Sequence, residues 1–176
     1  MKIIKRILGN IDKLTIIPIS DVHLGEPTCN LKAFKDTLER IKNEDNTFTI
    51  LNGDLCNIAL KNSVSNVYEN KSPMEEVEEL IDYLEPIKDK ILVISNGNHE
   101  ERIKKDTSID VLWLVAKQLG IEERYAPSWW YLYLSFGMCN KKRPMTYTIT
   151  GYHGAGGSTT TGAKINRAKA KIGRAV

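Results

Sequence analysis

Apolar residues along this chain fall into short strand-like runs and longer stretches with helical spacing, and the two kinds alternate. The strand-like runs cover residues 14–20, 47–52 and 91–96, and each has the length of a strand. After the first run, Leu31, Phe34, Leu38 and Ile41 recur at spacings of three and four, a helical stripe. A second helix starts at Ser72 as N-cap, with Pro73 at its first position and Glu75 closing a capping box. Its predicted apolar face is Met74, Val77, Leu80, Ile81 and Leu84. A third helix is predicted over residues 107–119, ended by Gly120, with Ile109, Leu112, Trp113, Val115 and Ala116 burying one side. Further on, Tyr131, Tyr133 and Ser135 alternate with Leu132, Leu134 and Phe136, and residues 145–152 alternate in the same way. These two later strands are close enough in sequence to form a hairpin or a pair in a second sheet. Strands alternating with helices predict an α/β fold whose sheet is covered on both faces.

Composition sets wider bounds. The 176 residues, 41% of them hydrophobic, suit one domain with a single core. No apolar run approaches the length of a membrane span. Residues 1–10 contain basic groups but no continuous apolar stretch, so no signal peptide is expected. Cys29, Cys56 and Cys139 are odd in number and scattered, which points to a reducing cytoplasm rather than a disulfide framework. Cys56 is expected to pack as a small hydrophobe.

Charge is unevenly spread. Residues 124–176 hold nine of the 25 Lys and Arg and none of the 22 acids, so residues 1–123 carry 16 basic against 22 acidic groups. A basic final third attracts phosphate-bearing substrates or nucleic acid. The competing explanation is that the balancing acids lie in a missing part of a longer chain.

The chemistry is concentrated just after the strand-like runs. Asp21-Val22-His23 follows the first, Gly53-Asp54 the second and Gly97-Asn98-His99-Glu100 the third. In an open α/β sheet the loops beyond strand ends line one crevice. Asp, His, Asp, Asn and His are thereby delivered to one place, a mixed oxygen and nitrogen set suited to divalent metals of intermediate hardness. His153 joins them, following the alternating stretch 145–152 and preceding Gly154, Gly156 and Gly157, which permit close backbone approach. Taken singly, Asp21 could be a cap, His23 a surface residue, Gly53-Asp54 a turn and His153 a core histidine. Together, at successive strand ends, they predict a metal site.

This ordered set resembles the signature of the calcineurin-like binuclear metallophosphoesterases: Asp-x-His, Gly-Asp, Gly-Asn-His-(Asp/Glu), a later His, and a final Gly-His-x-His. The first four elements are present as Asp21/His23, Gly53/Asp54, Gly97 to Glu100, and His153. The resemblance implies a β-sandwich flanked by helices, with a two-metal site at the strand C-terminal ends. The segment after His153, into Ala163-Lys164-Ile165-Asn166-Arg167, is similar to small phage-type members. The final Gly-His-x-His is absent, and residues 162–176 have the pattern of an amphipathic helix, so the single domain of 1–176 is expected to be incomplete at its C-terminus. A degenerate family member is the alternative.

The resemblance also implies roles. Asp21 and His23 would bind the first metal, Asp54 would bridge both, and Asn98 and His153 would bind the second. The two divalent cations, Mn, Fe or Zn, activate a hydroxide for attack on a phosphomonoester or phosphodiester. His99 would act as general acid or orient the phosphate, and Glu100 would fix a neighbouring His by hydrogen bond. Arg102 would clamp a phosphate oxygen or stand idle on a helix surface. The implied partner is a phosphate-ester substrate, with no membrane. Lys141-Lys142-Arg143, the basic face of the last helix and Trp129-Trp130 lean toward nucleic acid or a nucleotide, against the plainer reading of solvated charge and packed aromatics. The alternative function is a catalytically impaired phosphate- or nucleic-acid-binding module of the same fold.

Overall fold

Two sheets lie face to face with helices on one outer side. The computed structural model describes residues 1–59, 71–138 and 144–154. The basic run Lys141-Lys142-Arg143, the glycines Gly156 and Gly157, and the helix expected over 162–176 lie outside the described residues.

The first sheet is wholly parallel and has the order β2-β3-β4-β5. Its strands are β2 (Thr15–Ile19), β3 (Thr47–Asn52), β4 (Ile91–Ser95) and the short β5 (Tyr125–Ala126). β3 is buried from Thr47 to Leu51 and β4 along its full length, as expected of central parallel strands covered on both faces. The second sheet has the order β1-β6-β7, from β1 (Lys2–Ile7), β6 (Trp130–Phe136) and β7 (Met145–Gly151). β1 runs parallel to β6, and β6 pairs antiparallel with β7, so the two later strands do form a second-sheet pair. Ile4, Trp130, Leu132 and Leu134 face Phe48, Ile50, Leu92, Val93 and Ala126 across the sandwich.

The helices cover the other face of the parallel sheet. They are α1 (Leu31–Asn43), α2 (Pro73–Leu84), α3 (Asn98–Thr107) and α4 (Val111–Gln118). Their buried side chains, among them Phe34, Leu38, Ile41, Leu80, Leu84, Leu112 and Val115, form one core cluster with Ile19, Leu51, Ile91 and Ile94. Ser72 caps α2 as expected: its side chain accepts from the Glu75 N–H, and the Glu75 carboxylate accepts from the Ser72 N–H at 2.8 Å. Among the described residues, no helix is long and apolar enough to cross a membrane.

Three packing expectations are corrected. Met74 is exposed, because Glu76, Leu80 and Leu84, spaced by four, take the innermost line of α2 and turn Met74 outward. The helix expected over 107–119 begins only at Val111: Thr107 is the last residue of α3, a helix the sequence pattern does not indicate, and Ser108 ends α3 in a left-handed conformation (φ 62°). Ile109 is therefore left in the exposed connection. Trp113 is also exposed, pointing away from the Leu112–Val115–Ala116 face. Cys56 is fully buried, as expected.

Candidate metal centre

Parallel pairing puts the strand ends in step. Ile19 lies opposite Leu51, and Asn52 opposite Ser95, so the loops after β2, β3 and β4 open on one edge. β7 ends beside the start of β6, with Gly151 opposite Trp130, and releases His153 toward the same edge. The Trp130 indole N–H donates to Asn52 Oδ1 at the end of β3, tying the two sheets together there. Residues from four strand ends meet as the sequence predicts.

Asp54 is the centre of the arrangement and is almost wholly buried. His23 Nε2 lies 3.9 Å from Asp54 Oδ2, and His153 Nε2 lies 3.2 Å from the same oxygen. Asn98 Oδ1 is 3.3 Å from His153 Nε2. Two triads offer ligand atoms within 4.8 Å of one another: His23, Asp54 and His99, and Asp21, Asp54 and His153. All five residues expected as ligands are brought together, with Asp54 shared. Asp21 groups with His153, and His23 with His99, so the triads cut across the pairing of Asp21 with His23 that the resemblance implies.

The histidine tautomers follow from their neighbours. His153 Nδ1 lies 2.6 Å from the Asn52 carbonyl oxygen, and His99 Nδ1 lies 2.6 Å from that of Asn57. A carbonyl only accepts, so both rings donate from Nδ1. This is the usual support of a metal-binding imidazole, which leaves Nε2 for the ion. In the neutral ring, His153 Nε2, Asp54 Oδ2 and Asn98 Oδ1 are neighbouring lone-pair atoms, which either a shared cation or a proton on Nε2 balances. The donor set fits a divalent metal of intermediate hardness.

The electrostatics show the same demand. Its hydrogen bond to Asp54 raises the His153 pKa to about 9 despite burial, with the Asn52 carbonyl contributing. Burial pushes the Asp54 carboxyl up, but the His153 hydrogen bond and the His99 N–H (2.8 Å to Oδ1) outweigh it and hold it below the usual range. Without metal, a proton on His153 balances the buried carboxylate. The backbone is strained at the same residues: Asp21, His23 and Asp54 all have positive φ (56°, 50° and 50°). Such conformations collect at functional sites.

Glu100 corrects one expectation. Its fully buried carboxyl does not hold a histidine. Oε2 accepts from the N–H groups of Asp54 (3.0 Å) and Gly97 (2.9 Å), and Oε1 from those of Leu55 (2.9 Å) and Cys56 (3.3 Å). Glu100 thus moulds the loop that presents Asp54. Burial pushes its pKa up, and the charge of Asp54 adds to that. Arg102, on the second turn of α3, is half-buried and forms no ion pair among the described residues.

Sequence reasoning missed Ser20, Asn52 and Asn57. Ser20 Oγ–H donates to Asp21 Oδ2. Asn52 and Asn57 act through backbone carbonyls. Asn52 precedes Gly53 directly, which was a signal; nothing marks Asn57.

A family model for calcineurin-like phosphoesterase matches residues 14–161. Comparison with curated proteins and with solved structures gives no match. The matched span takes in all four strand-end loops and the helices that cover their sheet, and the chain belongs to the calcineurin-like phosphoesterase family.

Proposed function

We propose that the chain hydrolyses phosphate esters with two divalent cations, Asp54 being their shared ligand and Asp21, His23, Asn98 and His153 the others. The observation that carries this reading is the convergence of four strand-end loops on one buried, ionised carboxylate. Divalent cations held there would supply Lewis acidity to phosphoryl oxygens and ease the deprotonation of water near neutral pH.

The chain's own residues supply the rest. Asp54 is held in place by the His99 N–H and by Glu100 behind its backbone. His99, anchored at Nδ1, presents Nε2 on the His23 side of Asp54 and, when protonated there, donates to a phosphoryl oxygen or to the leaving oxygen. Arg102 is assigned to a phosphate oxygen.

A cleft of about 230 Å³ begins at Asn98 and His153 and reaches Lys105, Pro127, Ser128 and Tyr152. We assign it to the organic part of the ester. The Tyr152 ring lines the cleft and is backed by Trp129, on which it stacks at 4.6 Å, and Lys105 adds positive charge. Both features favour a nucleotide or nucleic acid over a protein substrate.

The test is hydrolysis of bis(p-nitrophenyl) phosphate with added Mn²⁺, compared with chelator and with D54N. Turnover that requires metal and falls to background in D54N supports the hydrolase. Salt-sensitive nucleic-acid binding that survives D54N, with no turnover in either protein, supports the binding module instead.

A further inference from the structure

Glu76 is a glutamate on an amphipathic helix, yet its side chain is fully buried. Its Oε2 accepts the Ile58 N–H at 2.8 Å, while Oε1 has no hydrogen-bond partner among the described residues. Oε1 instead lies against Gly25, where a β-carbon would stand only 2.3 Å from it. One carboxyl thus touches two loops, the one after β2 that carries His23 and the one after β3 that carries Asp54.

The second contact bears on chemistry. Ile58 is β-branched and has φ 48°, a conformation such residues rarely adopt. The hydrogen bond from its N–H to Glu76 helps hold it there. The preceding residue, Asn57, donates its N–H to the Leu24 carbonyl at 2.9 Å and accepts His99 Nδ1–H on its own carbonyl at 2.6 Å. The His99 ring meets His23 edge to face, with centroids 4.6 Å apart.

We infer that Glu76 is a positioning residue for His99, acting through the Ile58 N–H and the Asn57 carbonyl. The chain of contacts runs from α2 to the imidazole without touching substrate. If the acceptor is lost, the Ile58 turn relaxes, the Asn57 carbonyl swings away, and His99 loses the partner that fixes its tautomer. The inference rests on the reading of His99 as the group that faces the phosphate ester.

The experiment compares wild type, E76Q and E76M by imidazole ¹⁵N NMR of the metal-free protein and by steady-state kinetics. The chain has three histidines, so the His99 signals are assigned with H99N alone. Wild type and E76Q, which keeps an acceptor oxygen, are expected to show His99 in the Nδ1–H form. E76M keeps the volume without the acceptor. It is expected to show mixed tautomers and, on bis(p-nitrophenyl) phosphate, kcat about 10–100-fold lower at unchanged KM. A folded E76M with an unchanged His99 spectrum overturns the inference. If E76M does not fold, E76D, which withdraws the carboxyl by one methylene, is read in its place. Unfolding of both variants also counts against it, since Glu76 would then hold the fold rather than the ring. If wild type hydrolyses nothing, the phosphoesterase reading fails, while the tautomer spectrum still decides the role of Glu76.

Discussion

Gly97 leaves no room for a side chain because of Asp54: a β-carbon at position 97 would lie 2.2 Å from Asp54 Oδ1 and 2.4 Å from its backbone nitrogen. Two strand-end loops are in van der Waals contact at the point where the shared carboxylate is presented. The glycine of Gly97-Asn98-His99-Glu100 therefore serves the loop after β3 as much as its own.

G97A is accordingly expected to displace the Asp54 carboxylate rather than to unfold the chain. Metal affinity should fall about 10–100-fold, the cost typical of moving a group that orients a ligand. Titration calorimetry with Mn²⁺ on wild type and G97A, alongside circular dichroism, checks this. Equal affinity in a folded G97A would show that Asp54 does not hold the ion.

Glu100 gives a stability prediction. Its two oxygens accept four backbone N–H groups, and a Gln there turns one acceptor into a donor facing donors. E100Q should lose about 2 kcal/mol or more, the penalty of leaving buried N–H groups unpaired. Urea denaturation is the measurement, and a variant as stable as wild type contradicts the account of Glu100 as the mould of the Asp54 loop.

The junction between the sheets is tested at Trp130. Its indole N–H reaches Asn52 Oδ1 at 3.3 Å, and its ring fills the space a side chain at position 151 would need. W130F removes the donor and leaves a void, so a loss of about 2 kcal/mol is expected. Because Asn52 also supports His153 through its carbonyl, W130F should weaken metal binding as well as stability. A drop in stability with metal affinity untouched separates the two roles of Asn52.

What was legible in the sequence was what local pattern controls. The strands β2, β3 and β4 showed as short, largely apolar runs, since burial on both faces removes strict alternation, whereas the two-residue β5 was too short to show. The start of α2 showed because a capping box is written within four residues. The ligand set showed because the strand-end rule carries residues such as Asp21 and Asn98 to one edge without any contact being known. The strand β1 was missed, because Lys2, Lys5 and Arg6 break its apolar pattern and its partner β6 lies at the other end of the chain. The break at Ser108 was missed because no glycine marks it. Glu76 looks like a surface glutamate and Glu100 like the support of a histidine, and only the folded backbone supplies the N–H groups that bury both.

The hydrogen bond between His153 and Asp54 makes the metal-free protein pH-sensitive in a defined direction. The His153 pKa is about 9 in the fold, against an ordinary value of about 6.5. A raised pKa means that the protonated ring favours the folded state. That contribution is fully present below about pH 6.5 and is lost as pH rises through about 9. Its size is on the order of a few kcal/mol, with the histidine side chain largely buried. Metal binding runs the other way, because Nε2 must give up its proton before it can take an ion. Apo stability should therefore fall between pH 6.5 and 9 while Zn²⁺ or Mn²⁺ affinity rises across the same interval, with a proton released on binding. H153Q should flatten both trends. Calorimetry in buffers of different ionisation enthalpy counts the proton directly. Its absence at pH 7 would mean that His153 is already neutral, and that something other than this proton balances the Asp54 carboxylate.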